Sequence, residues 1–233
     1  MELKNKTIIV TGVSKGIGKE TVLQLLEKGA KVAGWGRNEP DYTHDNFSFI
    51  KVNMRYMQEV ANAFAETQGR FGQEIHGLVN NAGLGYFGYF EDMRPEEFFE
   101  IFEVNVYGIY YACKNVIPQM KTQQFGHIIN ISSIAGLDGQ QQVAAYCGAK
   151  HAVRGITESL YKELRDFGIK VTGVYPGSTN TNFFDNASGV SAHDNMMSAR
   201  EVATQIIRAF ETSGNFLINA IEFRPLQPKP KKS

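Results

Sequence analysis

The sequence of 233 residues has little of several features that mark special classes of protein. It contains only two cysteines, Cys113 and Cys147, which are too few for a disulfide framework. Its 24 basic and 24 acidic side chains cancel, so no excess charge favours nucleic acid or an anionic membrane. No apolar run reaches membrane-spanning length, no signal-peptide core follows the N-terminus, and no histidine or cysteine cluster has metal-ligand spacing. We therefore expect a cytoplasmic protein with no metal, nucleic-acid or membrane partner.

The composition is that of an ordinary globular protein, with 42% hydrophobic and 21% charged residues. Short β-branched runs alternate with amphipathic segments of helical length. The predicted strands span 7–11, 31–35, 47–52, 76–80, 127–131 and 170–175, and a last strand lies within 215–225. The predicted helices span 16–28, 56–68, 95–122, 144–167 and 199–211, with a kink or an end at Pro118 in the third. This alternation predicts an α/β fold with a doubly wound parallel sheet of about seven strands and helices on both faces.

The chain between Arg37 and Asn53 is unusually short for such a fold. Only fifteen residues separate the two, too few for a full crossover helix plus a strand, so we expect the third crossover helix to be reduced. No linker divides the rest of the chain, and we expect a single domain over 1–225. Within it, about 182–198 are predicted to form a substrate lid. The proline- and lysine-rich residues 226–233 are predicted to form a flexible basic tail.

A glycine-rich turn, TGVSKGIG, follows the first strand and begins the first helix. A doubly wound fold binds a pyrophosphate at this position. Gly12 would allow a sharp turn, Gly16 would let backbone amides approach the phosphates, and Gly18 would let the helix pack on the strand. Ser14 and Ile17 lie in the same turn and are expected near the cofactor. A tight turn that binds nothing remains an alternative interpretation of the glycines alone.

The end of the second strand indicates which dinucleotide would bind. Gly36 stands where a cofactor with a free ribose 2′-hydroxyl would require Asp or Glu. Arg37 follows it, and a guanidinium can hold a 2′-phosphate through two parallel hydrogen bonds, with Lys15 adding a nearby charge. The sequence therefore favours NADP(H) over NAD(H), although both cations are also compatible with a solvated surface.

A tyrosine and a lysine on the predicted helix 144–167 form the best candidate for an acid. Tyr146 and Lys150 are four residues apart on one helical face, where an ammonium can stabilise a phenolate. Ser133 follows the fifth strand, at the sheet edge where open α/β folds bind ligands. The spacing alone is not specific, because Tyr110 and Lys114 repeat it on an earlier helix.

Taken together, these elements resemble the short-chain dehydrogenases/reductases over nearly the whole chain. The matching motifs, in order, are Thr11-Gly12-x3-Gly16-Ile17-Gly18, Asn80-Asn81-Ala82-Gly83, Asn105, Ser133, Tyr146-x3-Lys150, and Pro176-Gly177 followed by Thr181. The resemblance implies a Rossmann fold and an NADP(H)-dependent enzyme. It further implies reversible reduction of a ketone, an aldehyde or a 3-oxo compound to an alcohol by hydride transfer.

The resemblance also implies roles for individual residues. Tyr146 would be the general acid in reduction and the base in oxidation, with its pKa lowered by Lys150, which would also bind the nicotinamide ribose. Ser133 would hydrogen-bond the substrate oxygen, and Asn105 would hold a water that links Lys150 to solvent. Thr181, with the backbone near Thr179, would orient the nicotinamide carboxamide. The full set of expected cofactor contacts is Gly12, Ser14, Lys15, Gly16, Ile17, Gly18, Arg37, Asn53, Asn81, Ala82, Gly83, Tyr146, Lys150, Pro176, Gly177, Thr179 and Thr181.

The last predicted strand, INAIEFRP, resembles a subgroup around NADP-dependent hydroxy-acid dehydrogenases and sepiapterin-type reductases. It lacks the Asp-Gly-Gly-like ending common in 3-oxoacyl reductases of fatty-acid synthesis, but 3-oxoacyl-[acyl-carrier-protein] reduction remains an alternative. A catalytically inactive NADP(H)-binding sensor is the second alternative. The resemblance also implies a homo-oligomer, a tetramer or a dimer, and the sequence does not identify the carbonyl substrate.

Overall fold

The structure is a computed structural model that describes residues 1–181 and 195–227. The strands in these ranges are β1 Thr7–Thr11, β2 Lys31–Gly36, β3 Phe47–Lys51, β4 Gly77–Asn80, β5 Gly126–Ile131, β6 Ile169–Pro176, β7 Thr179–Asn180, β8 Met197–Ser198 and β9 Ala220–Phe223. The α-helices are α1 Gly16–Glu27, α2 Met57–Phe71, α3 Pro95–Phe102, α4 Gly108–Gln123, α5 Ala144–Leu164 and α6 Ala199–Phe210. Most of the predicted strands and helices therefore form within a residue or two of their expected positions.

The main sheet has seven parallel strands among the described residues, in the order β3-β2-β1-β4-β5-β6-β9. Apolar side chains of α1 and α6, such as Leu25 and Phe210, pack with Ile8 of β1 on one face. On the other face, α2, α4 and α5 pack against Ile9 and Ile128. Because helices cover both faces, the central strands can be apolar without alternation. The predicted doubly wound Rossmann-like fold is confirmed.

The connection from β2 to β3 contains no helix in its described residues, so the predicted reduction of the third crossover helix is confirmed. A short loop replaces it and packs on the glycine-rich turn. The Tyr42 hydroxyl donates a hydrogen bond of 2.9 Å to the Val13 carbonyl, and its ring lies 5.1 Å from that of Phe47. The loop thus supports the first turn after β1 without a helix.

The segment predicted as one helix over 95–122 is divided. A π-helical turn, Glu103–Tyr107, separates α3 from α4 and contains the buried Asn105. Such turns occur often at functional sites because the extra residue re-aims a side chain. Pro118 lies inside α4, which continues to Gln123, so the helix does not end there.

The strand register aligns the carboxyl ends of the central strands at one edge of the sheet. Asn80 of β4 lies beside Asn130 of β5, and Ile131 lies beside Val174 of β6. The short pair β7 and β8, which the sequence analysis did not predict, lies beyond β6 and includes Met197 and Ser198 of the predicted lid. Residues 182–194 of that lid and 228–233 of the predicted tail lie outside the described residues.

Candidate active site

A cavity of about 380 Å³ opens at the carboxyl edge of the sheet. Most of the site residues that the sequence analysis proposed line it. These are Gly12, Ser14, Lys15, Gly16, Ile17, Arg37, Asn53, Asn81, Ala82, Gly83, Ser133, Tyr146, Lys150, Pro176, Gly177, Thr179 and Thr181. Gly18 and Asn105 are the two proposed residues that do not line the cavity, and both lie directly behind its wall.

The glycine-rich turn has the shape that the sequence analysis expected. Gly12 and Gly16 have φ angles of +73° and +60°, a region that residues with a Cβ rarely adopt. A Cβ on Gly18 would collide with the carbonyl oxygen of Gly12. A Cβ on Gly16 would lie 3.4 Å from the Thr181 side chain, so the loop after β6 approaches this turn. The turn therefore leaves open backbone where a phosphate would lie.

The loop after β4 supports the glycine-rich turn from behind. The Asn81 side-chain amide donates hydrogen bonds to the carbonyls of Thr11 and Gly12, at 2.9 and 3.0 Å. In return, the Thr11 hydroxyl accepts from the backbone N–H groups of Asn81 and Ala82. This reciprocal bonding fixes the two loops together, and it gives Thr11 a positioning role that the sequence analysis did not assign.

Two cations lie at the end of the cavity near β2. Lys15 is exposed, and the Arg37 side chain is 59% exposed, with its Nη1 atom 3.9 Å from Glu100 Oε1. No Asp or Glu is among the described lining residues. Asn53 also lines this end, where its Oδ1 atom accepts from the Arg55 N–H at 3.2 Å. The arrangement suits an anionic group attached to an adenosine ribose.

Ser133, Tyr146 and Lys150 meet at the carboxyl end of β5. The Tyr146 hydroxyl lies near enough to the Ser133 side chain for the two to interact. Lys150 is 4% exposed, its Nζ donates to the Ile131 carbonyl at 3.0 Å, and it lies 5.5 Å from the centre of the Tyr146 ring. The structure thus brings together the three side chains that the sequence analysis placed in one reaction centre.

The two ionisable groups of this centre respond to burial in opposite directions. Burial raises the pKa of Tyr146, and the interaction with Ser133 opposes this only in part. Burial lowers the pKa of Lys150 to about 8. In each case a poorly solvated charge is disfavoured. In the protein alone the net pKa shift of Tyr146 is therefore upward, opposite to the lowering that the family resemblance implied.

The pair with the same spacing on α4 has quite different surroundings. Tyr110 is 52% exposed, and Lys114 Nζ lies 5.9 Å from the centre of its ring. Neither residue lines the cavity. Both pairs lie on helices with the same spacing. Tyr146 and Lys150 differ because their side chains lie at the carboxyl end of a central strand, β5.

Asn105 is fully buried in the π-helical turn, behind Gly83. Its Nδ2 donates to the carbonyls of Leu84 and Ile101, both at 2.8 Å. Its Oδ1 atom has no hydrogen-bond donor among the described residues. A Cβ on Gly83 would lie 2.8 Å from that oxygen and 3.5 Å from Lys150 Nζ. Gly83 therefore allows the amide of Asn105 to approach Lys150.

Several cavity residues were missed by sequence reasoning because they belong to no motif. Most of them are apolar. The only signal for them was adjacency: two follow the Asn81-Ala82-Gly83 motif, and three lie between Ser133 and Tyr146. They are Leu84, Phe87, Ile134, Gln140 and Val143.

The described parts of the chain show neither a metal site nor a membrane-spanning helix. Within 1–181 and 195–227, no three His, Cys, Asp or Glu side chains are grouped so that they could hold a metal ion. None of the helices in these ranges is long and apolar enough to cross a membrane.

The chain is similar in sequence and in structure to known dehydrogenases and other oxidoreductases. Residues 6–189 match the family model described as short chain dehydrogenase. An uncharacterized oxidoreductase of Staphylococcus saprophyticus is 37% identical over 195 residues, which cover 80% of this chain and 79% of that protein. The solved structure of ElxO with NADP bound is 26% identical, with a TM-score of 0.84 and coverage of 93% of this chain and 96% of that one. The ligand-free aldohexose dehydrogenase of Thermoplasma acidophilum is also 26% identical, with a TM-score of 0.82 and coverage of 94% and 93%.

Proposed function

The chain belongs to the short chain dehydrogenase family of oxidoreductases, and from this we propose a specific reaction. It is the NADP(H)-dependent, reversible reduction of a carbonyl group to an alcohol, with Tyr146 as general acid and base. One observation carries the proposal. The neighbouring Ser133 and Tyr146, with Lys150 beside them, line the same cavity as the glycine-rich turn.

The cavity fits a dinucleotide with a 2′-phosphate. The left-handed Gly12 and Gly16 leave backbone open for a pyrophosphate, and Lys15 and Arg37 provide positive charge near the ribose. Gly36 provides no carboxylate for a free 2′-hydroxyl. The structurally similar ElxO was solved with NADP bound. Asn53, Asn81, Ala82 and Gly83 would contact the adenosine half, and Pro176, Gly177, Thr179 and Thr181 the nicotinamide half.

When bound, the cofactor would supply or accept the hydride; the protein handles the proton. Tyr146 keeps its hydroxyl proton at neutral pH, as an ordinary tyrosine does, and this is the state that a general acid needs. Ser133 lies beside that hydroxyl and would share the substrate oxygen with it. As negative charge grows on that oxygen, both hydroxyls would stabilise it.

Lys150 and Asn105 would assist without touching the carbonyl. With a pKa of about 8, Lys150 is mostly protonated at pH 7 and adds positive charge beside the Tyr146 ring. A water bound to the buried Oδ1 atom of Asn105 would place a proton carrier next to Lys150 Nζ, across Gly83. We propose that this route returns a proton to Tyr146 after each reduction.

The substrate end of the cavity favours an uncharged carbonyl compound. Leu84, Phe87 and Val143 are apolar, and Gln140 is a neutral hydrogen-bonding side chain. Sites of this kind hold a ligand by apolar contact and use a few polar groups for orientation. A small ketone, an aldehyde or a 3-oxo compound has this chemistry.

The test of the proposal is NADPH oxidation with a panel of ketones, aldehydes and 3-oxoacyl esters. Tyr146→Phe removes the acidic hydroxyl but keeps the ring, so we expect turnover to fall by about 100-fold or more while NADPH still binds. Tyr110→Phe is the matched control, because Tyr110 also precedes a lysine by four residues and should leave turnover unchanged. Wild-type protein that binds NADPH and reduces nothing would indicate a sensor. Turnover unaffected by Tyr146→Phe would show that another group is the acid.

A further inference from the structure

A cluster of charged and polar side chains lies beside the cavity, next to the end of β2. It consists of Arg37, Arg55, Tyr86, Glu100 and Glu103, which come from four separate segments of the chain. Glu100 is its centre, since it contacts Tyr86 and both arginines. Only Arg37 among the five lines the cavity. The cluster therefore connects to the cofactor site through one side chain.

Glu100 is fixed by partners other than Arg37. The Tyr86 hydroxyl donates to its Oε2 atom at 2.6 Å, and Arg55 Nη1 donates to its Oε1 atom at 3.4 Å. The Glu100 side chain is 19% exposed. Arg55 is itself fixed by a bond of 2.6 Å to Glu103. The Glu100 carboxylate would therefore keep its position if Arg37 moved away.

Arg37, in contrast, is attached only loosely to this cluster. Its Nη1 atom is 3.9 Å from Glu100 Oε1, which is an ion-pair distance but too long for a hydrogen bond. Its side chain is mostly exposed, so the guanidinium can rotate toward an anion in the cavity at little cost. The same guanidinium therefore has two possible partners, the fixed carboxylate of Glu100 and a ligand phosphate.

We propose that Glu100 is a specificity-determining residue that lowers the affinity of the site for a cofactor 2′-phosphate by competing for Arg37. This inference rests on the proposed NADP(H) dependence. A cofactor with a 2′-hydroxyl leaves the pair of Arg37 and Glu100 intact, whereas a 2′-phosphate must draw Arg37 from it. The fixed carboxylate also repels a dianionic phosphate bound near Arg37. Glu100 thus sets how strongly the protein prefers NADPH to NADH.

The test is the ratio of the dissociation constants of NADH and NADPH, measured by fluorescence titration at low ionic strength. Glu100→Gln removes the charge but keeps an acceptor for Tyr86. Because a half-exposed ion pair is worth little, we expect the ratio to rise by about two- to fivefold, through tighter NADPH binding alone. Glu103→Gln is the matched control, since Glu103 pairs with Arg55 but not with Arg37, and it should leave the ratio unchanged.

A double variant shows whether the effect passes through Arg37. In the background of Arg37→Gln, adding Glu100→Gln should raise the ratio by less than it does in the wild type. An unchanged or lower ratio in Glu100→Gln would overturn the inference, and so would an equal rise with and without Arg37. Failure of the proposed NADP(H) dependence is distinct: wild-type protein would then bind NADH as tightly as NADPH. The probes 2′,5′-ADP and 5′-AMP give the same comparison without the nicotinamide.

Discussion

At the scale of single residues, burial determines the protonation states of the reaction centre. Lys150 is buried and Tyr146 is half-buried, so the pKa of Tyr146 rises and that of Lys150 falls to about 8, which leaves Lys150 mostly protonated at pH 7. The sequence could predict that the two side chains adjoin, because the spacing of four residues specifies it. It could not predict the direction of the net pKa shift, since that depends on how deeply the start of α5 is buried against β5. Such a shift makes the centre sensitive to pH.

The pKa of Lys150 predicts how stability depends on pH. Its ordinary value is 10.5, and its value in the folded protein is about 8. Between these values the unfolded chain holds a proton that the folded protein lacks, so the free energy of unfolding rises with pH. The free energy of unfolding rises by at most about 3 kcal/mol through this group, and the rise is absent below pH 8. We expect it to be absent from Lys150→Met.

The measurement is urea unfolding of the protein alone, from pH 7 to 10.5, for the wild type and Lys150→Met. The difference in unfolding free energy between the two should shift in favour of the wild type as pH rises above 8. Other titrating groups are common to both proteins and cancel. A difference that stays constant across this range would show that Lys150 titrates normally.

At the scale of secondary-structure elements, the pattern of the sequence predicted what local chemistry specifies. The strands follow from β-branched runs, and the start of α1 follows from the glycine-rich turn. The π-helical turn Glu103–Tyr107 escaped prediction because its side-chain pattern continues that of the helices on either side. The pair of β7 and β8 escaped because each strand has only two residues.

The packing of α1 on β1 gives a prediction for Gly18. Its missing side chain lets the helix approach the Gly12 carbonyl, where a Cβ would collide with backbone. Gly18→Ala must displace α1 or the glycine-rich turn, so we expect a loss of about 1–3 kcal/mol in unfolding free energy. We also expect NADPH binding to weaken, because the phosphate-binding backbone would move with the helix.

Gly69→Ala is the control for this substitution. Gly69 lies near the end of α2, and apart from its own helix backbone and chain neighbours no heavy atom lies within 4 Å of the position of a Cβ. Alanine there should stabilise the protein by up to about 1 kcal/mol, through helix propensity alone, and leave NADPH binding unchanged. Thermal unfolding measures the change in stability of both variants, and NADPH titration measures the change in their cofactor affinity. A Gly18→Ala protein as stable as wild type would contradict the packing described above.

At the scale of the whole molecule, motifs predicted which residues share the cavity, but not how distant segments support it. The carboxyl ends of parallel strands meet at one edge, so residues that follow β1, β4, β5 and β6 were expected together. The contact between Arg37 and Glu100 was not expected, because the two residues lie on different elements and no motif near either one indicates a contact with the other. The hydrogen bond from the Asn81 amide to the Gly12 carbonyl was likewise not predicted from the sequence.

The surface of α3, the π-helical turn and α4 gives a prediction about assembly. Phe99, Tyr107 and Tyr110 are 61%, 48% and 52% exposed, which is unusual for large aromatic side chains grouped on one stretch of helix. Together with the family resemblance, this surface leads us to expect a homodimer or homotetramer at micromolar concentration. Sedimentation velocity should show it, and replacing Tyr107 and Tyr110 by glutamate should yield a smaller species.

Tyr89→Glu serves as the control for assembly, since Tyr89 is 58% exposed but precedes α3 on a loop. That variant should sediment like the wild type. A monomeric wild type at micromolar concentration would contradict the prediction, and so would a glutamate double variant that sediments unchanged.

The most direct measurement of the central claim is the transfer of deuterium from NADPH labelled at C4 of the nicotinamide to the alcohol product. If the cavity holds the cofactor in one orientation, with the carbonyl between it and Tyr146, only one of the two C4 labels will reach the alcohol carbon. Tyr146→Phe should then yield almost no labelled product in the same time. Alcohol formed without deuterium from either label, or labelled equally fast by Tyr146→Phe, would contradict the account.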